Sequence, residues 1–154
     1  MENKLWLLLP ALLLSCWACD PTPRRFENAA SAEMDHDTKM KYARYMQAGQ
    51  KLYVQYCANC HMGQGEGLGQ LYPPLAGADY LLEQKEASIC GIQNGQNGEI
   101  TVNGIVYDQP MPAQSQLTSL EIAEVYTFVS NSWGNAAGLT LVTDVEKILR
   151  DCEK

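Results

Sequence analysis

Cys57-Ala58-Asn59-Cys60-His61 is the stretch whose reading decides this chain. Two thiols three positions apart on a helical turn reach the same side, and an imidazole follows at once. A zinc site needs four ligands, usually with a second pair at matching spacing. Only Cys90 and Cys152 remain downstream, far apart in sequence. A thiol-redox pair opens a helix after a strand, where the helix N-terminus lowers a thiol pKa, whereas here the pair ends a helix. A disulfide within the pair leaves His61 unexplained. The run is instead a haem attachment signal. Each thiol adds to one vinyl group of the porphyrin, and His61 offers its imidazole to the iron.

Upstream, Met40, Ala43, Tyr45, Met46, Leu52, Tyr53 and Tyr56 fall at spacings of three and four, which predicts a helix from Thr38 to the motif. Gly49 interrupts that pattern. A helix-interior glycine costs about 1 kcal/mol against alanine, so the position predicts close approach of another element. Downstream, Gly63, Gly65, Gly67 and Gly69 mark a loop. No strand precedes it and no P-loop lysine follows, so it is not a nucleotide loop. Asp79 is a cap candidate for a helix from about Tyr80 to Asn94. Ile100, Val102, Ile105 and Tyr107 alternate around Asn103-Gly104, a hairpin signal. Thr118 and Glu121 form a capping box for a helix to about Trp133, and a last helix is expected from Thr143 to Asp151.

A second axial ligand is sought among six methionines. Met1 is the initiator, Met34 lies in a tether, and Met40 and Met46 belong to a helical core pattern. Met62 is too close to His61 to reach the opposite haem face. Met111 stands on the stiff loop Gln109-Pro110-Met111-Pro112-Ala113, where no core pattern explains it. Its alternative role is a gap filler. With both axial positions filled no substrate reaches the iron, and the expected chemistry is one-electron transfer rather than catalysis. A dihaem peroxidase needs a second Cys-x-x-Cys-His, which the sequence lacks. A ligand sensor needs a vacant sixth position.

The chain has 154 residues, 46% hydrophobic and 19% charged, a composition that fits one globular domain with additions. Its net charge of -7 argues against nucleic-acid binding, which needs basic patches, and favours a redox partner with a basic docking face. Leu5 to Leu14 is almost wholly apolar but too short to span a bilayer, which takes about 20 residues. It fits the core of an export signal. Leu13-Leu14-Ser15-Cys16 resembles a bacterial lipobox, which makes Cys16 the lipidation candidate; Cys19 and an ordinary cleaved signal are the alternatives. The division read from this is a lipoprotein-type signal peptide over 1–15, a flexible tether over 16–37, and a haem domain over 38–154. Export permits disulfides. Cys90 and Cys152 could pair or remain buried thiols, and Cys19 is left over.

From Ala43 to Trp133 the chain resembles the class I cytochrome c domain. Gly49-Gln50-Lys51-Leu52-Tyr53 ahead of the Cys57–His61 motif is similar to its first helix, and Leu120 to Val129 to its C-terminal helix. Tyr72-Pro73-Pro74-Leu75 resembles its proline loop, and Gln109 to Ala113 its axial methionine loop. The resemblance implies an all-α fold of about four helices around one covalent haem c, with a small hairpin inserted before the methionine loop. It implies that Gly49 and Tyr53 cross the last family helix near Tyr126, and that the Pro74 carbonyl accepts the His61 N–H. The segment from Cys90 through Tyr107, ending in Asn131-Ser132-Trp133-Gly134-Asn135, resembles single-haem exported bacterial cytochromes and haem modules of larger oxidoreductases. Oxidases, reductases and dehydrogenases are the partners this implies, on the periplasmic side of a membrane.

Overall fold

The computed structural model describes residues 26–152. The signal-peptide reading and the lipidation candidate Cys16 lie outside those residues. The described chain runs α1 (Ala29–Ala32), α2 (His36–Tyr56), α3 (Ala58–His61), α4 (Asp79–Glu83), α5 (Lys85–Asn94), β1 (Ile100–Val102), β2 (Ile105–Tyr107), α6 (Ser119–Val129) and α7 (Val142–Cys152). Four of these helices have ten residues or more, and the fold is all-α with one hairpin.

α2 and α6 cross at Gly49. A Cβ there would lie 2.0 Å from the Glu124 carbonyl oxygen and 2.7 Å from Phe128 Cβ, so only glycine admits this approach. The crossing therefore falls on Glu124 and Phe128, to either side of the Tyr126 expected. Tyr53 packs against Phe128 and Trp133 with its ring tilted to theirs, at 5.5 Å and 5.0 Å between ring centroids. Tyr126 instead points to α4, where its hydroxyl donates to the Leu81 carbonyl at 2.8 Å. The core is completed by Ile89, Ile122 and Val145, each fully buried, from α5, α6 and α7.

The hairpin pairs Ile100 with Tyr107 and Val102 with Ile105. Its two turn residues, Asn103 (φ 51°) and Gly104 (φ 77°), both take the left-handed conformation that a tight hairpin needs. Asp79 is not a helix cap; Ala78 occupies that position. The Asp79 carboxylate accepts from the Asn103 N–H at 2.7 Å, while the Asn103 side chain accepts from the Asp79 N–H at 3.0 Å. This reciprocal pair fastens the hairpin tip to the start of α4.

Three boundaries differ from the sequence reading. The helix expected over 80–94 is two, broken at Gln84 (φ −112°, ψ 55°). The helix expected to reach Trp133 stops at Val129. Beyond it the side chains of Asn131 and Ser132 donate to the carbonyls of Thr127 and Phe128, competing with helical continuation. The flexible stretch expected up to Asp37 is folded from Phe26 onward. Phe26 packs on the core, Asn28 caps α1 and donates to the Asn131 carbonyl at 3.1 Å, and Lys39 pairs with Glu27 at 3.2 Å. Four residues of helix cannot stand alone, so these tertiary contacts hold α1 in place.

Cys90 and Cys152 form a disulfide, with Cα atoms 5.8 Å apart. It joins α5 to the last turn of α7. No helix among the described residues is long and apolar enough to cross a membrane.

Candidate haem site

α2 ends at Tyr56, with the Cys57 N–H donating to the Tyr53 carbonyl, and Cys57 starts the next turn, its carbonyl accepting from the Cys60 and His61 N–H groups. α3 is thus a further turn that carries Cys60 and His61 past Cys57. Cys57 and Cys60 are unpaired thiols, both half-buried. Burial, and secondarily the neighbouring Cys60, pushes the Cys57 thiol pKa up to about 11, so it stays protonated. Met62 ends the turn with φ 65°, and the Tyr53 hydroxyl donates to its carbonyl.

His61 is buried. Burial lowers its pKa, partly opposed by a hydrogen bond to the Pro73 carbonyl, so the ring is held neutral. That bond is 2.9 Å from Nδ1. A carbonyl only accepts, so Nδ1 carries the proton and Nε2 is the nitrogen left for a metal. The acceptor is Pro73 and not the Pro74 that the resemblance implied. The loop path decides this. Gly67, at φ 67°, lets the Tyr72–Pro73 backbone come so close that a Cβ there would sit 2.4 Å from the Tyr72 oxygen and 2.8 Å from the Pro73 oxygen. Pro74 remains in the site as part of the cavity wall.

Met111 reaches the same region from the other end of the domain. Its backbone pairs with Gln96 in both directions, at 3.0 and 2.9 Å. Gly95, at φ 80°, makes room for this: a Cβ would lie 2.7 Å from the Met111 carbonyl oxygen. The Gln114 N–H donates to the Ile92 carbonyl, closing the loop against the C-terminal end of α5.

Cys57, His61 and Met111 line one partly open cavity. Its other walls are almost wholly apolar: Leu81 of α4, Ile92 of α5, Ile100 and Val102 of the hairpin, and Val125 and Val129 of α6. Of the two motif thiols Cys57 lines the cavity, and with His61 and Met111 it suits a flat apolar ring with an iron at its centre and a side group that reacts with a thiol. Fold and site together place the chain among the c-type haem proteins.

The comparisons make this specific. Residues 46–133 match the family Cytochrome c. Over 92 residues the chain is 38% identical to cytochrome c-552 of Thermus thermophilus, covering 57% of this chain and 70% of that protein. Over 103 residues it is 30% identical to the cytochrome c subunit of a quinone alcohol dehydrogenase from Gluconobacter oxydans, covering 66% of this chain but 22% of that subunit. The corresponding subunit from Gluconacetobacter polyoxogenes is 34% identical over 105 residues, again with 22% of its length covered. The chain belongs to the cytochrome c family, and electron transfer through covalent haem c is its function. It is an electron carrier rather than an enzyme.

The sequence reading missed Pro73, Gly67 and Gly95. Gly67 and Gly95 were visible as glycines, but their role depends on backbone segments brought near by the fold.

Proposed function

We propose that the chain holds one haem c through thioethers at Cys57 and Cys60, with His61 and Met111 as axial ligands, and that it passes single electrons between redox proteins. The observation that carries this reading is that Cys57, His61 and Met111, from distant parts of the chain, line one apolar cavity. The haem supplies a one-electron iron couple. His61 offers Nε2, while the Pro73 carbonyl holds the ring and makes it a stronger donor. Met111 offers a thioether, which raises the reduction potential relative to stronger donors. The apolar walls exclude water and favour the less charged redox state.

The acidic balance of the chain favours a partner with a basic docking face. The signal reading places the domain on the periplasmic side of a bacterial membrane, anchored by lipid on Cys16. The likeness to dehydrogenase subunits favours a second reading, in which the chain is the haem subunit of a larger oxidoreductase.

The test is spectroscopic. After export and maturation, pyridine haemochrome analysis should give one covalent haem per chain; its absence overturns the proposal. Met111→Ala should keep the haem and lose the weak red absorption of thioether-bound ferric iron. If the band persists, Met111 is not the ligand. Cys16→Ser should release the protein from the membrane fraction, and retention would count against the anchor.

A further inference from the structure

Asn135 lies two residues beyond the stretch matched by the family. It is 4% exposed, and nothing in the electron-transfer reading uses it. Its side chain nonetheless joins the end of α6 to the loop that carries Pro73. Nδ2 donates to the Val129 carbonyl at 2.8 Å and to the Leu75 carbonyl at 2.9 Å. Oδ1 accepts from the Gly77 N–H at 2.9 Å. The amide cannot be turned over, because that would set its oxygen against two carbonyls and its NH2 against an N–H. Both ends of a three-residue segment, Leu75 to Gly77, are therefore clipped to one rigid group. On its other side the same segment donates from Leu75 and Ala76 to the Gly65 carbonyl, at 2.7 and 2.9 Å. Gly65 is packed against Trp133, where a Cβ would lie 2.5 Å from the ring.

We infer that Asn135 is a positioning residue for the axial imidazole. It acts through the loop: fixing Leu75 and Gly77 fixes the course of Pro73, whose carbonyl holds His61 Nδ1. A shorter, straighter Nδ1–H bond makes the imidazole a better donor and stabilises the ferric state. A looser loop weakens that bond and raises the potential. The backbone of Asn135 also accepts from the Asn28 side chain at 3.4 Å. The folded N-terminal segment thus braces the same turn.

A neighbour provides the control. Asn131 is nearly as buried as Asn135 and its side chain makes more hydrogen bonds, to Thr127, Ser130, both backbone groups of Gly138 and the Asn28 side chain. None of these reaches the Pro73 loop. The experiment compares Asn135→Leu, Asn135→Ala and Asn131→Ala in the haem-loaded protein. All three should lower stability. Only the Asn135 variants should move the midpoint potential upward and speed solvent exchange of the His61 Nδ1–H in NMR spectra. Equal potentials and exchange in the Asn135 and Asn131 variants would overturn the inference. The inference rests on His61 being the axial ligand. Lack of iron-shifted imidazole resonances in the wild type would remove that reading and this one together. Normal resonances with an unmoved potential would remove this one alone.

Discussion

The cavity has two walls built in different ways. On the His61 side everything is near in sequence: the motif turn, the glycine loop and Pro73 lie within 17 residues, from Cys57 to Pro73. Main-chain bonds between Gly67 and His61 and between Gly65 and Leu75 knit that wall into one piece. On the Met111 side the loop hangs from the C-terminal end of α5 through the Gln96 pair and the Ile92 carbonyl. That support is in turn tied to α7 by the disulfide, across a sequence separation of 62. The first wall is held locally and the second by a remote covalent link. One cavity can thus rest on a locally encoded half and a remotely secured half.

The largest effect should come from cutting the remote link. Cys152→Ser opens a loop of that length, and the chain-entropy account assigns it about 4 kcal/mol. Denaturant unfolding should show the loss, and hydrogen exchange should rise at Met111 and Gln96 before it rises at His61 and Gly67. Uniform loosening of both walls would end the contrast drawn between them.

A smaller effect should follow from crowding the Met111 wall directly. Gly95→Ala places a Cβ against the Met111 carbonyl in a backbone region that disfavours side chains. Overpacking and strain of this kind cost about 1–3 kcal/mol. The red absorption of thioether-bound iron should weaken while the haem stays attached. An unaltered band would show that the Gln96–Met111 pairing does not set the thioether position.

The smallest effect belongs to α6, which both walls share. Thr118 and Glu121 form the capping box, with the Thr118 hydroxyl accepting from the Glu121 N–H. Thr118→Ala should cost about 1 kcal/mol at neutral pH. The Thr118 backbone N–H, and then its hydroxyl, hold the Glu121 carboxyl below its ordinary value of 4.5. A lowered carboxylate stabilises the fold above its unfolded pKa and loses that contribution as pH falls through the folded one. The gap between wild type and variant should therefore narrow as pH falls below 4.5 and through the lowered folded value. A gap that does not change with pH would rule out the bond between the Thr118 hydroxyl and the carboxylate as part of the cap. Neither wall should respond differently from the other.

Much of this was legible in the sequence. The motif, the hairpin turn at Asn103-Gly104 and the Thr118 capping box are local signals, and each element forms where its signal stands. Gly49 announced a close helix crossing, although which residues it meets needed the fold. The Ser130-Asn131-Ser132 run after Val129 was an available stop signal for α6, since such side chains capture the carbonyls of the preceding turn. Asn28 with Ser31 was likewise an available start signal for α1. No residue type marks the break at Gln84. The choice of Pro73 over Pro74 was not readable either, because it depends on Gly67, Gly65 and Asn135 converging on one loop from three places in the chain.

The folded N-terminal segment has a consequence for how far the domain can roam. Ten peptide units separate Cys16 from Phe26, the first described residue, against twenty-two to Thr38. Fully extended, ten units reach at most about 35 Å, and twenty-two about 75 Å. On the proposed anchor, the leash is thus less than half as long as the sequence suggested. If Cys16 carries the proposed lipid, that shorter span would confine the haem to a thin layer above the membrane and raise its local concentration toward anything docked there. It would also put a partner's docking site out of reach if that site stood high above the membrane.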